Sequence, residues 1–226
     1  MPTSQNAPLM TPEAFQQATG VSRETLMRLE RYADLLIRWS RAVNLVSRES
    51  LHDLWRRHMF DSAQLLPLLP TILEDRRRVV LDLGSGAGFP GMVLSVLGAG
   101  DVHLVESDQR KVLFLREVAR EVGSDAHIHG VRVDQLPRFP VDVVTARAFA
   151  PLVKLLNEAS PFLNPAEATN GHAPARGLFL KGKKVDEELT AAQKAWQMKV
   201  KKVPSRSDPS GTVLVIGVHG RETTIS

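Results

Sequence analysis

Apolar residues along this chain keep two rhythms, and the change between them falls near Pro70. Before it, hydrophobic positions recur every three or four residues, the spacing of helices packed on one side. Thr11-Pro12-Glu13 predicts a helix start, with a hydroxyl N-cap, proline at the first helical position and an acid in the first turn. That helix ends near Gly20. Ser22 caps a second helix running to about Ala42, with Leu26, Leu29, Ala33, Leu36 and Ile37 on one face. A third is expected from about Ser50 to Leu66, before Pro67 and Pro70 interrupt the chain.

After Pro70, short apolar runs alternate with helical stretches. A buried strand is predicted at Val79–Leu83, followed by Met92, Val93, Val96 and Leu97 at helical spacing. Further strands are expected at Asp101–Glu106, Ala126–Val133, Asp142–Ala146, Leu178–Lys181, Met198–Val203 and Thr212–His219. Helices are expected at Arg110–Val122, Pro151–Phe162 and Val185–Gln197. Alternation of strand and helix implies a parallel sheet, and the turn residues of Ser205–Gly211 make the last two strands an antiparallel pair. The expected fold is α/β: a mostly parallel seven-stranded sheet with an antiparallel edge hairpin, formed by residues 71–226. An N-terminal helical extension (11–70) packs on it, preceded by a disordered tail (1–10). Asn164–Arg176, rich in Ala, Pro, Asn and Gly, reads as a mobile loop.

Composition narrows the class. A chain of 226 residues, 43% hydrophobic and 24% charged, is an ordinary globular protein of one large domain or one domain with a small extension. No run is long enough to span a bilayer, and Met1–Met10 lacks the basic start and apolar centre of a secretory signal. With no cysteine there is no disulfide, no Cys zinc site and no cysteine nucleophile. A cytoplasmic monomer without a metal site is expected. The net charge is +4, and basic residues cluster at Arg56-Arg57, Arg76–Arg78, Arg110-Lys111, Lys181 with Lys183-Lys184, Lys199 with Lys201-Lys202, and Arg206. Singly these read as solvated helix ends and loops. Together they point to a polyanionic partner, nucleic acid first.

The chemistry centres on Asp82-Leu83-Gly84-Ser85-Gly86-Ala87-Gly88-Phe89-Pro90-Gly91, between the first strand and its helix. Such a corner is where an open α/β sheet binds its ligand. A dinucleotide site wants Gly-x-Gly-x-x-Gly. Here the third glycine comes one residue early, and Phe89 stands where that pattern wants glycine. A ring there crowds a pyrophosphate but suits an adenosine or a methionine chain. The spacing therefore favours S-adenosylmethionine; a dinucleotide, or a turn with no ligand, remains the alternative.

Other residues extend this reading. Glu106, ending the second strand, can accept both ribose hydroxyls. Asp82 reads as an acceptor for the methionine ammonium or as a cap. Val133 and Asp134 can hold adenine, the acid at its amino group and the backbone at the ring edge. Arg147, in Arg147-Ala148-Phe149-Ala150-Pro151 at the crevice mouth, can stack on a base, hold a phosphate or face the cofactor carboxylate. An Asp or Asn with Pro-Pro-aromatic, used by methyltransferases of adenine amino groups, is missing there, and so is the cysteine that 5-methylpyrimidine enzymes need. Arg57 and Asp61 form an i, i+4 pair on the third helix, with His58 between them. They contact RNA at the rim, brace the glycine turn, or form a plain salt bridge beside a packed histidine. Lys181 and Lys183 are expected to contact phosphate.

These residues resemble the glucose-inhibited division protein B family, the bacterial 16S rRNA guanine-N7 methyltransferases. The resemblance rests on the Asp82–Gly91 motif, with Trp39, Asn44-Leu45, Arg57-His58 and Asp61-Ser62 upstream. Leu104–Asp108 with Lys111 and Phe114-Leu115, then Arg147–Ala150 and Leu180–Gly182, complete it over roughly residues 22–220. It implies a class I S-adenosylmethionine-dependent methyltransferase with a Rossmann-like fold. The implied reaction is methyl transfer to N7 of a guanine in a 16S rRNA loop, on naked rRNA or a small-subunit particle. The cofactor positions implied are Gly84, Phe89, Glu106, Val133, Asp134 and Arg147, to which the glycine spacing adds Gly86. Arg147, Lys181 and His58 are the candidates for aligning the acceptor. A small-molecule or protein methyltransferase, a dinucleotide oxidoreductase and a non-enzymatic RNA-binding module are the competing readings.

Overall fold

The first helix begins as its cap residues dictate. In the computed structural model, which describes residues 8–71, 76–163 and 174–221, α1 spans Pro12–Thr19. Thr11 accepts the Ala14 N–H at 3.2 Å, and Gly20 closes the helix with φ 70°. Residues 1–7 of the expected tail and 164–173 of the expected loop lie outside the described residues. Ser22 caps α2 (Arg23–Trp39) by accepting the Thr25 N–H at 3.1 Å. Leu26, Leu29, Ala33 and Leu36 are buried, but Ile37 is 42% exposed, and Tyr32 and Leu35 are buried instead. The surface a helix meets, not its period alone, selects the buried stripe.

The single helix expected over Ser50–Leu66 is four pieces: α3 (Arg48–His52), a π-helical turn (Trp55–Phe60), α4 (Asp61–Ala63) and a 3-10 turn (Leu66–Leu68). In the π turn the Asp61 N–H reaches back to the Arg56 carbonyl, five residues earlier. Such widened turns are frequent at functional sites.

The sheet comprises β1 (Val79–Leu83), β2 (Asp101–Val105), β3 (His127–His129), β4 (Val143–Arg147), β5 (Arg176–Lys181), β6 (Trp196–Pro204) and β7 (Thr212–Arg221). Its order is β3-β2-β1-β4-β5-β7-β6. The first five strands run parallel, and β7 pairs antiparallel with both β5 and β6, as predicted. Strand order reverses at β1, so a crevice opens at the carboxyl ends of β1, β2 and β4. Four helices cross over the sheet: α5 (Gly91–Val96), α6 (Gln109–Val122), α7 (Leu152–Leu163) and α8 (Val185–Gln193).

Side chains alternate across each strand, which gives two cores. On one face Val102 and Leu104 pack with Phe15, Leu29, Tyr32 and Leu36 of α1 and α2 and with Phe114 and Leu115 of α6. On the other, Leu81, Leu83 and Val105 pack with Leu155 and Leu156 of α7 and Leu189 of α8.

Two expected boundaries move. β3 stops at His129, not Val133; Val133–Gln135 is a 3-10 turn, and Val131 and Val133 leave the sheet to line the crevice. β6 begins at Trp196, so α8 is shorter than expected. The Arg76–Arg78 run is not a free cationic patch. Arg76 holds both Asp142 oxygens at 2.8 Å, Arg77 bonds Asp125 at 2.8 Å, and Arg78 bonds the Pro70 and Ala99 carbonyls. The run ties the start of β1 to its neighbours.

Candidate active site

Gly84, Gly86, Phe89, Glu106, Val133, Asp134 and Arg147 all line one crevice of about 500 Å³ at the switch in strand order. That volume suits a small-molecule site. Gly84, Gly86 and Gly88 have φ of 63°, 58° and 91°, the left-handed region. Their missing side chains serve different ends. A Cβ on Gly84 would lie 2.2 Å from the Phe149 ring, and one on Gly88 would lie 2.4 Å from the Tyr32 hydroxyl. A Cβ on Gly86 meets no atom closer than 3.8 Å, so this glycine is the open part of the cradle.

Glu106 faces this turn. One carboxylate oxygen accepts the Gly86 N–H at 2.9 Å and the other the Asp108 N–H at 2.8 Å, and the residue is 8% exposed. Asp82 does not face the crevice. It is fully buried, accepting the Thr145 hydroxyl at 2.8 Å and the Gly91 N–H at 3.2 Å. Its role is the capping one, and the ammonium-binding reading is corrected. Burial pushes its carboxyl up to about 6, against the lowering pull of these two bonds.

Phe89 is 3% exposed and held by the protein's own groups. It stacks with Tyr32 at 5.3 Å and with His58 at 4.7 Å, and the Arg147 guanidinium lies 4.9 Å from its ring centre. The Tyr32 hydroxyl donates to the Ala87 carbonyl. A helix from the N-terminal extension thereby fixes the glycine turn.

A second cavity of about 670 Å³ adjoins the first, and Leu45, Val46, Arg147 and Ala148 line both. Arg147 stands at the junction. It donates to the Arg57 carbonyl at 2.8 Å, to Asp61 at 3.2 Å and to His58 Nδ1 at 2.7 Å. A guanidinium only donates, so His58 carries its proton on Nε2, a buried atom with no hydrogen-bond partner among the described residues. Burial first, then the charges of Arg147 and Arg57, push His58 down to about 3. Ala148 has φ 51°, the only positive value at a non-glycine among the described residues.

Two expected contacts are replaced. Asp61 pairs with Arg147, and Arg57 with Asp208 at 2.8 Å, because the π turn alters the spacing that an i, i+4 pair needs. Lys181 is not offered to phosphate. Its side chain is 9% exposed, donating to the Ala150 carbonyl and to Glu188, each at 2.7 Å. Glu188 also accepts the Leu152 N–H at 2.7 Å, so the pair clamps the 147–152 loop. Lys183 remains exposed beside it.

Two residues of the Arg147–Ala150 motif take roles that the motif itself does not specify. Phe149 fills the gap over Gly84, and Ala148 adopts a backbone no pattern announces. The 205–211 turn also does more than join two strands. Ser207 donates to Asp61, and Gln64 accepts the Arg206 N–H at 2.8 Å, which seals the cavity wall.

Every ionisable side chain lining the second cavity is thus bonded to another protein group. The seven-stranded sheet, with a crevice at the switch in its strand order, has the class I S-adenosylmethionine-dependent methyltransferase fold. Solved structures agree on the fold. MtNAS in complex with S-adenosylmethionine superposes with TM-score 0.53 at 15% identity, over 93% of this chain and 84% of that one. Magnesium protoporphyrin IX methyltransferase from Synechocystis, also with the cofactor bound, gives 0.53 at 14%, over 88% and 98%.

The chain belongs to the rRNA small subunit methyltransferase G family, whose model matches residues 25–211. It is 56% identical to ribosomal RNA small subunit methyltransferase G of Rhodospirillum rubrum, over 92% of this chain and 98% of that relative. The Paramagnetospirillum magneticum protein of the same name is 52% identical, over 95% and 97%. The chain is an S-adenosylmethionine-dependent rRNA methyltransferase. No helix among the described residues is long and apolar enough to cross a membrane.

Proposed function

We propose that this chain methylates N7 of a guanine in a loop of 16S rRNA, with S-adenosylmethionine in the first cavity and the base in the second. The observation that carries it is the pair of cavities meeting at Arg147 and Ala148. The cofactor supplies an electrophilic methyl group. Glu106 is aimed to accept the two ribose hydroxyls, Gly86 leaves room for the nucleoside, and Val133 and Asp134 form the adenine wall. Arg147 holds the border, leaving Ala148 with Leu45 and Val46 to line the passage between donor and acceptor.

Guanine N7 offers an in-plane lone pair and loses no proton before attack, so it needs no general base. The acceptor cavity supports this. His58 is neutral with Nδ1 already bonded, and Asp61, Glu188 and Asp208 are each paired with a cation. Amine methylation, which needs a proton acceptor, fits this cavity less well. What remains for the protein is alignment of N7, methyl carbon and sulfur. The N7 edge of a paired A-form guanine lies in a groove too narrow for side chains, so the target is a loop or flipped base. Exposed Lys183 and Lys184, beside the second cavity, are the phosphate contacts in this reading. In this reading the protein acts as a cytoplasmic monomer on 16S rRNA or a small-subunit particle.

The test is to incubate the protein with radiolabelled S-adenosylmethionine and, separately, naked 16S rRNA, 30S particles and free nucleotides, then digest and identify the modified base. N7-methylguanosine from rRNA or particles is expected. Label on another atom, or only on protein or small molecules, rejects the reading.

A further inference from the structure

Four residues whose side chains line neither cavity stand together on one face of the β2–β3 edge of the sheet, from Asp101 at its start to His129, whose carbonyl accepts the Glu106 N–H at 3.1 Å. Asp101 and His103 alternate onto one face of β2, and His127 and His129 onto the same face of the edge strand β3. The register sets His103 directly opposite His127. The imidazoles stack, with His103 4.6 Å from His127 and 5.2 Å from His129. Two ring nitrogens converge on one carboxylate: His103 Nε2 is 3.6 Å from one Asp101 oxygen, and His127 Nε2 is 3.1 Å from the other.

These distances fit a metal ion. In tetrahedral zinc sites the ligand bonds of 2.0–2.2 Å place neighbouring donor atoms roughly 3.3 Å apart. The two observed separations, each to a different oxygen of the Asp101 carboxylate, lie near that value, and one donor atom from each of the three residues lies within 4.8 Å of the others. The surroundings fit as well. His103 Nδ1 lies 3.0 Å from His129 Nε2, so the ring's second nitrogen is held by a partner, as metal-bound histidines commonly are. The Phe139 ring covers His103 at 4.5 Å, while the Asp101 and His127 side chains are 34% and 55% exposed, which leaves an entry path and room for a water ligand.

We propose that Asp101, His103 and His127 bind one divalent transition-metal ion of the zinc class, with His129 orienting His103. Two imidazoles and a carboxylate form the borderline donor set that zinc and its neighbours accept. The site is structural. Asp101 precedes Glu106 by a strand's length of about 16 Å, so the ion lies far from the methyl group. It clips a three-residue edge strand whose continuation, through Val131 to Asp134, forms one wall of the cofactor crevice.

The experiment uses the untagged full chain, stripped by chelator and titrated with Zn²⁺ by calorimetry and with Co²⁺ by visible absorption. One equivalent of Zn²⁺, a Co²⁺ ligand-field band and a metal-dependent rise in Tm are expected. His127→Ala and Asp101→Asn, whose side chains are partly exposed, should abolish all three while circular dichroism stays unchanged. His129→Ala should keep the stoichiometry but weaken binding ~10–100-fold. Binding that survives His127→Ala places the ion elsewhere and overturns the proposal. So does a folded wild-type chain that takes up no Zn²⁺ and whose Tm responds to pH alone, which would leave the cluster a proton-sharing network.

Discussion

The two cavities that meet at Arg147 are built by opposite means. The cofactor crevice is local: one glycine turn, the residue ending β2, and the turn after β3 supply most of its walls. Its polar groups point inward and keep acceptor capacity, as Glu106 does. The acceptor cavity is assembled from distant parts of the chain, a π turn, the 147–151 loop, the end of β5 and the 205–211 turn. Its charges are matched among themselves. The first surface is prepared to hold a ligand by specific bonds, the second to position one without reacting with it.

The sharpest way to break this contrast is at the glycines. Gly88→Ala drives a methyl group into Tyr32 and Met92 and should lower stability by about 3 kcal/mol or more. Gly86→Ala should cost only ~1–2 kcal/mol for its left-handed backbone yet eliminate binding of the demethylated cofactor. Thermal unfolding and calorimetry on both variants check this, and equal destabilisation would remove the distinction between packing glycine and cradle glycine. Next is the shared post. Arg147→Ala leaves His58 Nδ1, the Arg57 carbonyl and one Asp61 oxygen without the donor they share, an expected loss of roughly 3 kcal/mol seen as a lower midpoint in urea. Arg147→Lys should not restore it, because an ammonium lacks the planar fork that reaches several acceptors. Full rescue by lysine would show that charge alone holds the junction.

A smaller effect separates two buried groups by pH. His58 is depressed from 6.5 to about 3, so the stability it contributes is present above pH 6.5 and is lost as pH falls toward 3. Between pH 6.5 and 5 the wild type should lose about 2 kcal/mol relative to His58→Asn. Asp82 runs the other way: raised to about 6 from 3.8, its contribution is present below pH 3.8 and disappears as pH rises through 6. Parallel urea titrations of the two chains across this range would reveal a flat difference if His58 were not held neutral. The mildest prediction concerns RNA. Lys183→Ala should flatten the salt dependence of rRNA binding by ~1 in slope, while Arg77→Ala, already bonded to Asp125, should leave it unchanged. A reversal would put the nucleic acid on the arginine end.

How much was legible follows the same division. The strand, glycine turn and helix could be read because neighbours in sequence are neighbours in space there, and the seven cofactor positions named from the chain line one crevice. The antiparallel hairpin was legible from its turn residues. Lys181 was misjudged because Glu188 reaches it from α8, a contact only the fold creates. Arg57 and Asp61 were paired by a rule that assumes 3.6 residues per turn, and nothing in the apolar pattern marks a π turn. β3 was drawn too long because Val131 and Val133 continue a strand-like alternation after the backbone has left the sheet. His103, His127 and His129 lie on two strands, and only the register brings them together.

The bonds that Glu106 makes to the Gly86 and Asp108 amides have a kinetic meaning. Each carboxylate oxygen has two lone pairs, and the backbone takes one from each. In the proposed reading, a sugar diol would meet an acceptor already locked in place, and capture would spend little ordering entropy. On that reading, association of a nucleoside with this crevice would be governed by diffusion and entry, not by a rearrangement of the turn.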